Sequence, residues 1–230
     1  MPLNLENPLV DRDTMDCRVL VYTRTTAFRH ASIPEAVAAL RSMVGIDMVH
    51  TEDPASFEGG LEGFEAVVFL STSGDVLNPA GRTHLTRYVE SGGGFVGIHS
   101  AACTEYGWPG YGDFLKARFT RHPDYQPGMA LVEDADHPAT RHLPTVWEFE
   151  DEWYDFDTSP RGTSRILAVV DESSYTGGGM GTDHPIAWCR HHGDGRVFYT
   201  ALGHAADAYK DAAFIEHVRG GVLWAAGRLK

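Results

Sequence analysis

At 230 residues, 43% of them apolar and with no long low-complexity tract, the chain can bury one substantial core. Its 32 acidic residues against 19 basic ones give a formal charge of -13, which repels phosphate backbones and anionic membrane surfaces. Neither nucleic acid nor a membrane is therefore expected as a partner, and no apolar run approaches the ~20 residues that cross a bilayer. Cys17, Cys103 and Cys189 are odd in number and widely spaced, with no Cys-x-x-Cys pair. That usage points to a reducing cytoplasm rather than a disulfide framework.

Residues 1–16 contain prolines, acids and scattered apolar positions, without the basic start and apolar centre of a secretion signal. They read as an N-terminal arm, loosely ordered or laid across a neighbouring subunit, ahead of a single α/β domain over residues 17–230. Arg18 to Tyr22 is a β-branched run typical of a buried first strand. Ser32-Ile33-Pro34-Glu35 then reads as a helix start, with Ser32 as cap, Glu35 closing a capping box and Pro34 in the tolerant first turn. That helix is expected to reach Val44. Asp47 to Thr51 and Ala66 to Leu70 read as strands, Pro79 to Ser91 as a helix, and Phe95 to Ile98 as a strand. The alternation predicts a doubly wound, mostly parallel sheet with right-handed crossovers.

Past Ala102 the pattern changes to aromatic and proline-rich loops and shorter strands at Met129 to Glu133, Ile166 to Val170, Pro185 to Cys189 and Arg196 to Thr200. The last two, separated by Gly193-Asp194-Gly195, read as an antiparallel hairpin, so the C-terminal half adds antiparallel strands to the sheet. Asp211 to Ala226 closes as a helix with Phe214, Ile215, Val218, Val222 and Leu223 facing the core and Gly227 as its stop. The aromatic loop Tyr106 to Tyr111, read as exposed, raises the expectation of a homo-oligomer.

Ligands of an open parallel sheet collect outside the carboxyl ends of its strands. Three histidines lie at such ends: His30 after the first strand, His99 after the strand at 95–98, and His204 after the last strong one. His99 follows Gly92-Gly93-Gly94-Phe95-Val96-Gly97-Ile98 in the layout of a nucleophile elbow, a sharp turn that lifts one side chain above the sheet. Imidazole there performs acid/base transfer or metal ligation. Most of the other histidines, among them His84, His191, His192 and His217, read as solvated surface. Asp151-Glu152-Trp153-Tyr154-Asp155-Phe156 packs acids with large aromatics, a mixture suited to sugars, although an edge strand with an inward aromatic face has the same composition. Glu152 is the general acid/base candidate, with Trp153 expected to raise its pKa by excluding water. Asp183-His184-Pro185 is a secondary polar loop. Gly177-Gly178-Gly179-Met180-Gly181 lacks the Lys-Ser/Thr of a phosphate loop and reads as a flap. Cys103 reads as an inert buried thiol.

Phe28-Arg29-His30, the run Gly92 to Ala101, Asp151 to Tyr154, and His184-Pro185-Ile186-Ala187-Trp188 through Gly195 to His204 together resemble the ThuA-like family, named for trehalose utilisation. The resemblance spans Arg18 to Gly227. It implies a flavodoxin-like fold shared with the class I glutamine amidotransferases. In those enzymes the elbow holds cysteine and a histidine follows a late strand; by resemblance His99 stands in place of the thiol and His204 matches the histidine. Amidotransferase chemistry is thereby disfavoured, because neutral imidazole offers a base or a metal ligand instead of a nucleophilic thiolate. The resemblance implies disaccharide processing, with a keto-sugar made by a partner dehydrogenase as substrate.

A ketone at the third ring carbon acidifies the neighbouring C–H, so a base can drive isomerisation or loss of the glycosidic group. In this scheme His99 or His204 takes the proton, Glu152 protonates the departing or carbonyl oxygen, and Arg29 or His30 steadies the oxyanion. Ser100, Trp153, Tyr154 and Asp183 complete the expected substrate contacts. A variant has His30, His99 and His204 holding a divalent metal such as zinc that polarises the carbonyl. The rival reading is a non-catalytic sugar-binding or scaffold domain that has lost the ancestral cysteine.

Overall fold

The computed structural model describes residues 16–230, so the arm read over residues 1–16 lies, Asp16 apart, outside the described residues. The first half alternates β1 (Cys17–Tyr22), α1 (Ile33–Arg41), β2 (Ile46–Thr51), β3 (Ala66–Leu70), α2 (Pro79–Glu90) and β4 (Gly94–Ile98). The second half runs α3 (Pro109–Leu115), β5 (Phe119–Arg121), β6 (Gln126–Val132), β7 (Val146–Asp151), β8 (Asp155–Phe156), β9 (Arg165–Asp171), β10 (Pro185–His192), β11 (Gly195–Thr200) and α4 (Ala212–Ala225). Nine strands form one sheet in the order β2-β1-β3-β4-β11-β10-β9-β6-β7, with β5 and β8 paired separately. From β2 to β11 all neighbours are parallel, the flavodoxin-like half, and from β11 to β7 all are antiparallel.

Strand direction decides what reaches the functional edge. Four successive antiparallel steps reverse the chain at each strand, so β9 and β7 point the same way as β4 and β11. The ends of β7 and β9 therefore share an edge with the parallel strands. Strands lie about 4.8 Å apart, so a flat sheet would leave β7 about 19 Å from β11, more than the roughly 10 Å that a three-residue loop spans. Asp151, the last residue of β7, nevertheless accepts a 2.7 Å hydrogen bond from the Gly203 N–H beyond β11. The antiparallel half thus bends over the C-terminal edge and closes one side of it.

Local chemistry explains most element ends. Asn78 caps α2 by accepting from Gly81 N–H, and Asp211 caps α4 by accepting from Phe214 N–H. The capping box expected at α1 does not form: Ser32 already has helical φ and ψ and makes no cap hydrogen bond, because a turn begun at His30 leads the chain into the helix. That helix ends at Arg41 rather than Val44, with Ser42 turning both its N–H and its hydroxyl back to the Ala39 carbonyl. Between β10 and β11 the hairpin closes through Gly193-Asp194, with Gly193 at φ +59 in the first turn position, where a primed turn needs glycine. Gly94 answers a packing demand at the opposite edge from the histidines: a Cβ there would lie 2.6 Å from the Ala225 carbonyl oxygen.

Two burial expectations are corrected. His217 is fully buried, one turn after Phe214 on the face of α4 that packs on β11, donating Nδ1–H to Ala139 O at 2.8 Å and accepting at Nε2 from the Thr200 hydroxyl at 3.1 Å. In the loop Tyr106 to Tyr111, Tyr106 is exposed but Tyr111 is buried and donates to the Ala101 carbonyl, so Tyr111 is no part of an exposed aromatic surface. Among the described residues no helix is long and apolar enough to cross a membrane.

Candidate active site

β4 is buried along its whole length and stops at Ile98. His99 follows at φ +53, in the left-handed region that costs a non-glycine residue energy, and one 3-10 turn, His99 to Cys103, replaces the helix of an ordinary elbow. His99 is fully buried. Its Nδ1 lies 2.7 Å from the Ala201 carbonyl, which can only accept, so Nδ1 carries the hydrogen and Nε2 presents a lone pair. Around Nε2 stand Tyr154 Oη at 2.8 Å, His30 Nε2 at 3.1 Å and Glu152 Oε2 at 3.6 Å. The same Glu152 oxygen is 3.0 Å from His204 Nδ1, and Ser100 Oγ is 3.3 Å from His30 Nδ1.

The charges in this group are settled by mutual contact. Burial works to raise the Glu152 carboxyl, but the contact with His204 and its charge outweigh it and hold it well below the usual carboxylate range. This corrects the expectation that a neighbouring tryptophan raises the pKa of Glu152. The same contact, set against burial, raises His204 above an ordinary imidazole. Burial first, and the nearby rings of His99 and His204 next, push His30 down to about 3, so it is neutral and cannot counter an oxyanion by charge. Burial also holds Tyr154 as a phenol and the Cys103 thiol up at about 12.

His30, His99, Ser100, Glu152, Tyr154 and His204 are thus brought together, while three other expected contacts are not. Arg29 is half-exposed and bonded to Glu52 Oε1 at 2.7 Å and the Thr23 carbonyl, so it steadies the β1–β2 edge. Asp183 pairs with Arg161, which also clamps Glu133. Trp153 faces away into the core: it is fully buried, donates to the Gln126 carbonyl and fills the space over Gly128, where a Cβ would lie 2.7 Å from its ring. Alternation at the end of β7 sends Trp153 and Glu152 to opposite sides, which composition does not reveal.

Two residues join to which motif reading gave no role of their own. Asp151, fully buried, accepts from the N–H groups of Glu152, Gly203 and His204 at 2.8, 2.7 and 3.2 Å, and so fixes both loops that carry the acid and the histidine. His122 follows β5, with Nε2 3.6 Å from Glu152 Oε1. His184 holds the site from behind: Nε2 is 2.8 Å from the Tyr154 carbonyl and Nδ1 2.8 Å from Glu172, whose Oε1 also accepts from Met180 and Gly181 of the glycine loop.

A cavity of about 310 Å³ opens beside this group, lined by Phe28, Cys103, Phe119 and Tyr154 together with His30, His122 and Glu152. The ligating atoms of His30, His99, Glu152 and His204 all lie within 4.8 Å of one another, a donor set of three imidazoles and one carboxylate that suits a divalent ion.

The fold and site define a flavodoxin-like α/β protein in which imidazole occupies the elbow of a nucleophile. A family model described as ThuA, trehalose utilisation, matches residues 18–225, so the chain belongs to the ThuA family. Solved ThuA-like proteins from Bacteroides uniformis and Parabacteroides merdae are similar in fold. The first has 23% identity and a TM-score of 0.78 over 98% of this chain and 97% of that one. The second has 22% identity and a TM-score of 0.77 over 94% and 92%. Part of a β-galactosidase from Bacillus circulans shares the fold at 15% identity and a TM-score of 0.62, over 93% of this chain and 31% of the enzyme. No curated protein matches.

Proposed function

We propose that this site is the catalytic centre of an enzyme that cleaves or isomerises a disaccharide oxidised to a ketone at C3, within trehalose utilisation. The observation that carries the reading is the convergence of His99 Nε2, Tyr154 Oη, Glu152 and His204 within hydrogen-bonding and ion-pairing reach beside one small cavity. The family's description, trehalose utilisation, supports a sugar substrate, and the partly apolar, partly titratable walls suit a pyranose. A ketone at C3 makes the C2 proton acidic. The lone pair of His99 Nε2 takes that proton; the electron pair forms the enolate and expels the C1 oxygen, leaving an enone. His204, whose proton Glu152 stabilises, gives that proton to the departing oxygen. The Tyr154 hydroxyl, freed from His99, donates to the enolate oxygen. Isomerisation uses the same base with reprotonation instead of departure.

The 3.1 Å separation of His30 Nε2 and His99 Nε2 favours a second reading, in which His30, His99, His204 and Glu152 hold zinc or a similar ion. Ligand nitrogens about 2.0–2.1 Å from a tetrahedral ion are themselves about 3.3 Å apart. A bound ion would supply Lewis-acid polarisation of the ketone. Ser100 and the Ala201 carbonyl would then orient His30 and His99 from behind.

Both readings are tested by proton NMR in deuterium oxide with a panel of 3-keto-glycosides including 3-keto-trehalose, alongside elemental analysis of the protein before and after chelation. Cleavage or deuterium uptake at C2, reduced roughly 10²–10⁴-fold by His99→Ala with folding intact, is the expected result. Stoichiometric metal whose removal abolishes turnover selects the second reading. Sugars that broaden without exchange or cleavage would establish a binding domain instead.

A further inference from the structure

The cavity and its rim are built on different scales. About 310 Å³ lies at the small end of the roughly 300–1,000 Å³ of ligand pockets. Two large aromatic side chains stand exposed at its rim, Phe28 as part of its wall and Tyr125 beyond its lining. Phe28 is 67% exposed, with its ring edge-on to His30 at 4.8 Å, and Tyr125 is 37% exposed, with its ring 5.5 Å from His204. The rings of His30 and His204 are 5.2 Å apart, so Phe28 and Tyr125 flank the same two histidines.

Neither exposure reflects a loose loop. The Phe28 carbonyl accepts from Ser73 Oγ at 2.5 Å, the Thr26 N–H donates to Ser73 O at 2.9 Å, and Thr26 Oγ1 donates to Asp75 O, which stitches the Phe28 loop to the one after β3. Beside Tyr125, Gln126 bonds the carbonyls of Asp124 and Thr176 and accepts from Thr176 N–H. Aromatic faces held in water at a cavity mouth leave apolar area uncovered until a ligand covers it.

We infer that Phe28 and Tyr125 form an outer sugar subsite, so that the oxidised ring enters the cavity and the second ring of the disaccharide rests on this aromatic rim. The inference deepens the keto-glycoside reading and rests on it for the substrate class. It makes the rim the determinant of preference for a disaccharide over a simple glycoside.

The test compares 3-keto-trehalose with methyl 3-keto-α-glucoside in the wild type, Phe28→Ala and Tyr125→Ala, reading kcat/KM together with saturation-transfer NMR of each sugar ring. Tyr125→Ala should lower the disaccharide-to-methyl-glycoside ratio of kcat/KM roughly tenfold, the size of one aromatic contact, chiefly through KM, and Phe28→Ala, which also opens the cavity wall, should lower kcat/KM on both sugars but more on the disaccharide. Saturation of the outer-ring protons should weaken with it. A ratio that does not change, or equal losses on both sugars, overturns the subsite even where turnover is established. Should the wild type turn over neither sugar, the catalytic reading fails, and the NMR map alone decides: saturation of the outer ring that Phe28→Ala removes supports the subsite, and no such saturation overturns it.

Discussion

Acid lability is a quantitative consequence of His217. The ring is buried between α4 and β11, and burial, with the nearby His142 and His137 adding to it, lowers its pKa to about 4 against a hydrogen bond to Ala139 O that works the other way. Above pH 6.5 the ring is neutral in both folded and unfolded chains and stability does not depend on it. As pH falls from 6.5 towards 4 the unfolded chain takes up a proton that the native state refuses, so stability falls with pH. The full difference between 6.5 and about 4 is worth roughly 3 kcal/mol, at up to about 1.4 kcal/mol per pH unit. His217→Gln keeps a donor for Ala139 O and an acceptor for Thr200 while removing the titration. Urea unfolding of both proteins at pH 7, 6, 5 and 4.5 isolates the effect, because every other titrating group is common to the two. The variant should gain roughly 2–3 kcal/mol on the wild type between pH 7 and 4.5. A gap that stays constant with pH would refute the reasoning.

Trp153→Ala should cost about 3–5 kcal/mol in urea unfolding, because the indole fills the space over Gly128 and is fully buried; a change in sugar affinity with stability intact would restore it as a sugar contact. Gly94→Ala should lower stability by about 1–3 kcal/mol, since its methyl would press on the Ala225 and Glu65 carbonyls, which only backbone movement can relieve. Equal thermal midpoints for Gly94→Ala and wild type would show that this edge yields.

The strands were legible wherever an unbroken β-branched run is buried on both faces: Ala66–Leu70 is read to the residue. Histidines at strand ends were legible for the same topological reason, since a parallel sheet delivers its loops to one edge. Side-chain direction past a strand end was not. Asp151, Glu152, Trp153 and Tyr154 are consecutive, yet one anchors loops, one pairs with histidines, one fills the core and one bonds His99. Nothing in their composition separates these roles, because they depend on how the antiparallel half bends over the edge. His122 depends on the separate β5–β8 pair and carries no motif. His217 could have been found: Phe214, His217, Val218 and Gly221 follow i, i+3, i+4, i+7 on one helix face, and that periodicity outranks the general preference of histidine for solvent.

Backbone strain points to the same place as the titratable groups. The non-glycine residues with positive φ among the described residues are Ser71, His99, Glu105 and Lys116, and Lys116 sits at the C-cap of α3, where left-handed geometry is ordinary. The other three surround the C-terminal edge of β3 and β4. Ser71 donates its N–H to the Ile98 carbonyl, and Glu105, buried, receives the N–H groups of Val76 and Leu77 while pairing with Arg82. A left-handed conformation costs such residues about 1–3 kcal/mol each, and glycine at any of them would remove the cost. At Glu105 the carboxylate answers for it by holding the loop after β3. At His99 the imidazole makes one bond to a carbonyl that serves the fold and turns its other nitrogen toward a phenol, two imidazoles and a carboxylate beside a cavity. The strain at the elbow thus falls on the residue to which the proposed function gives the role of base, with both of its nitrogens bonded.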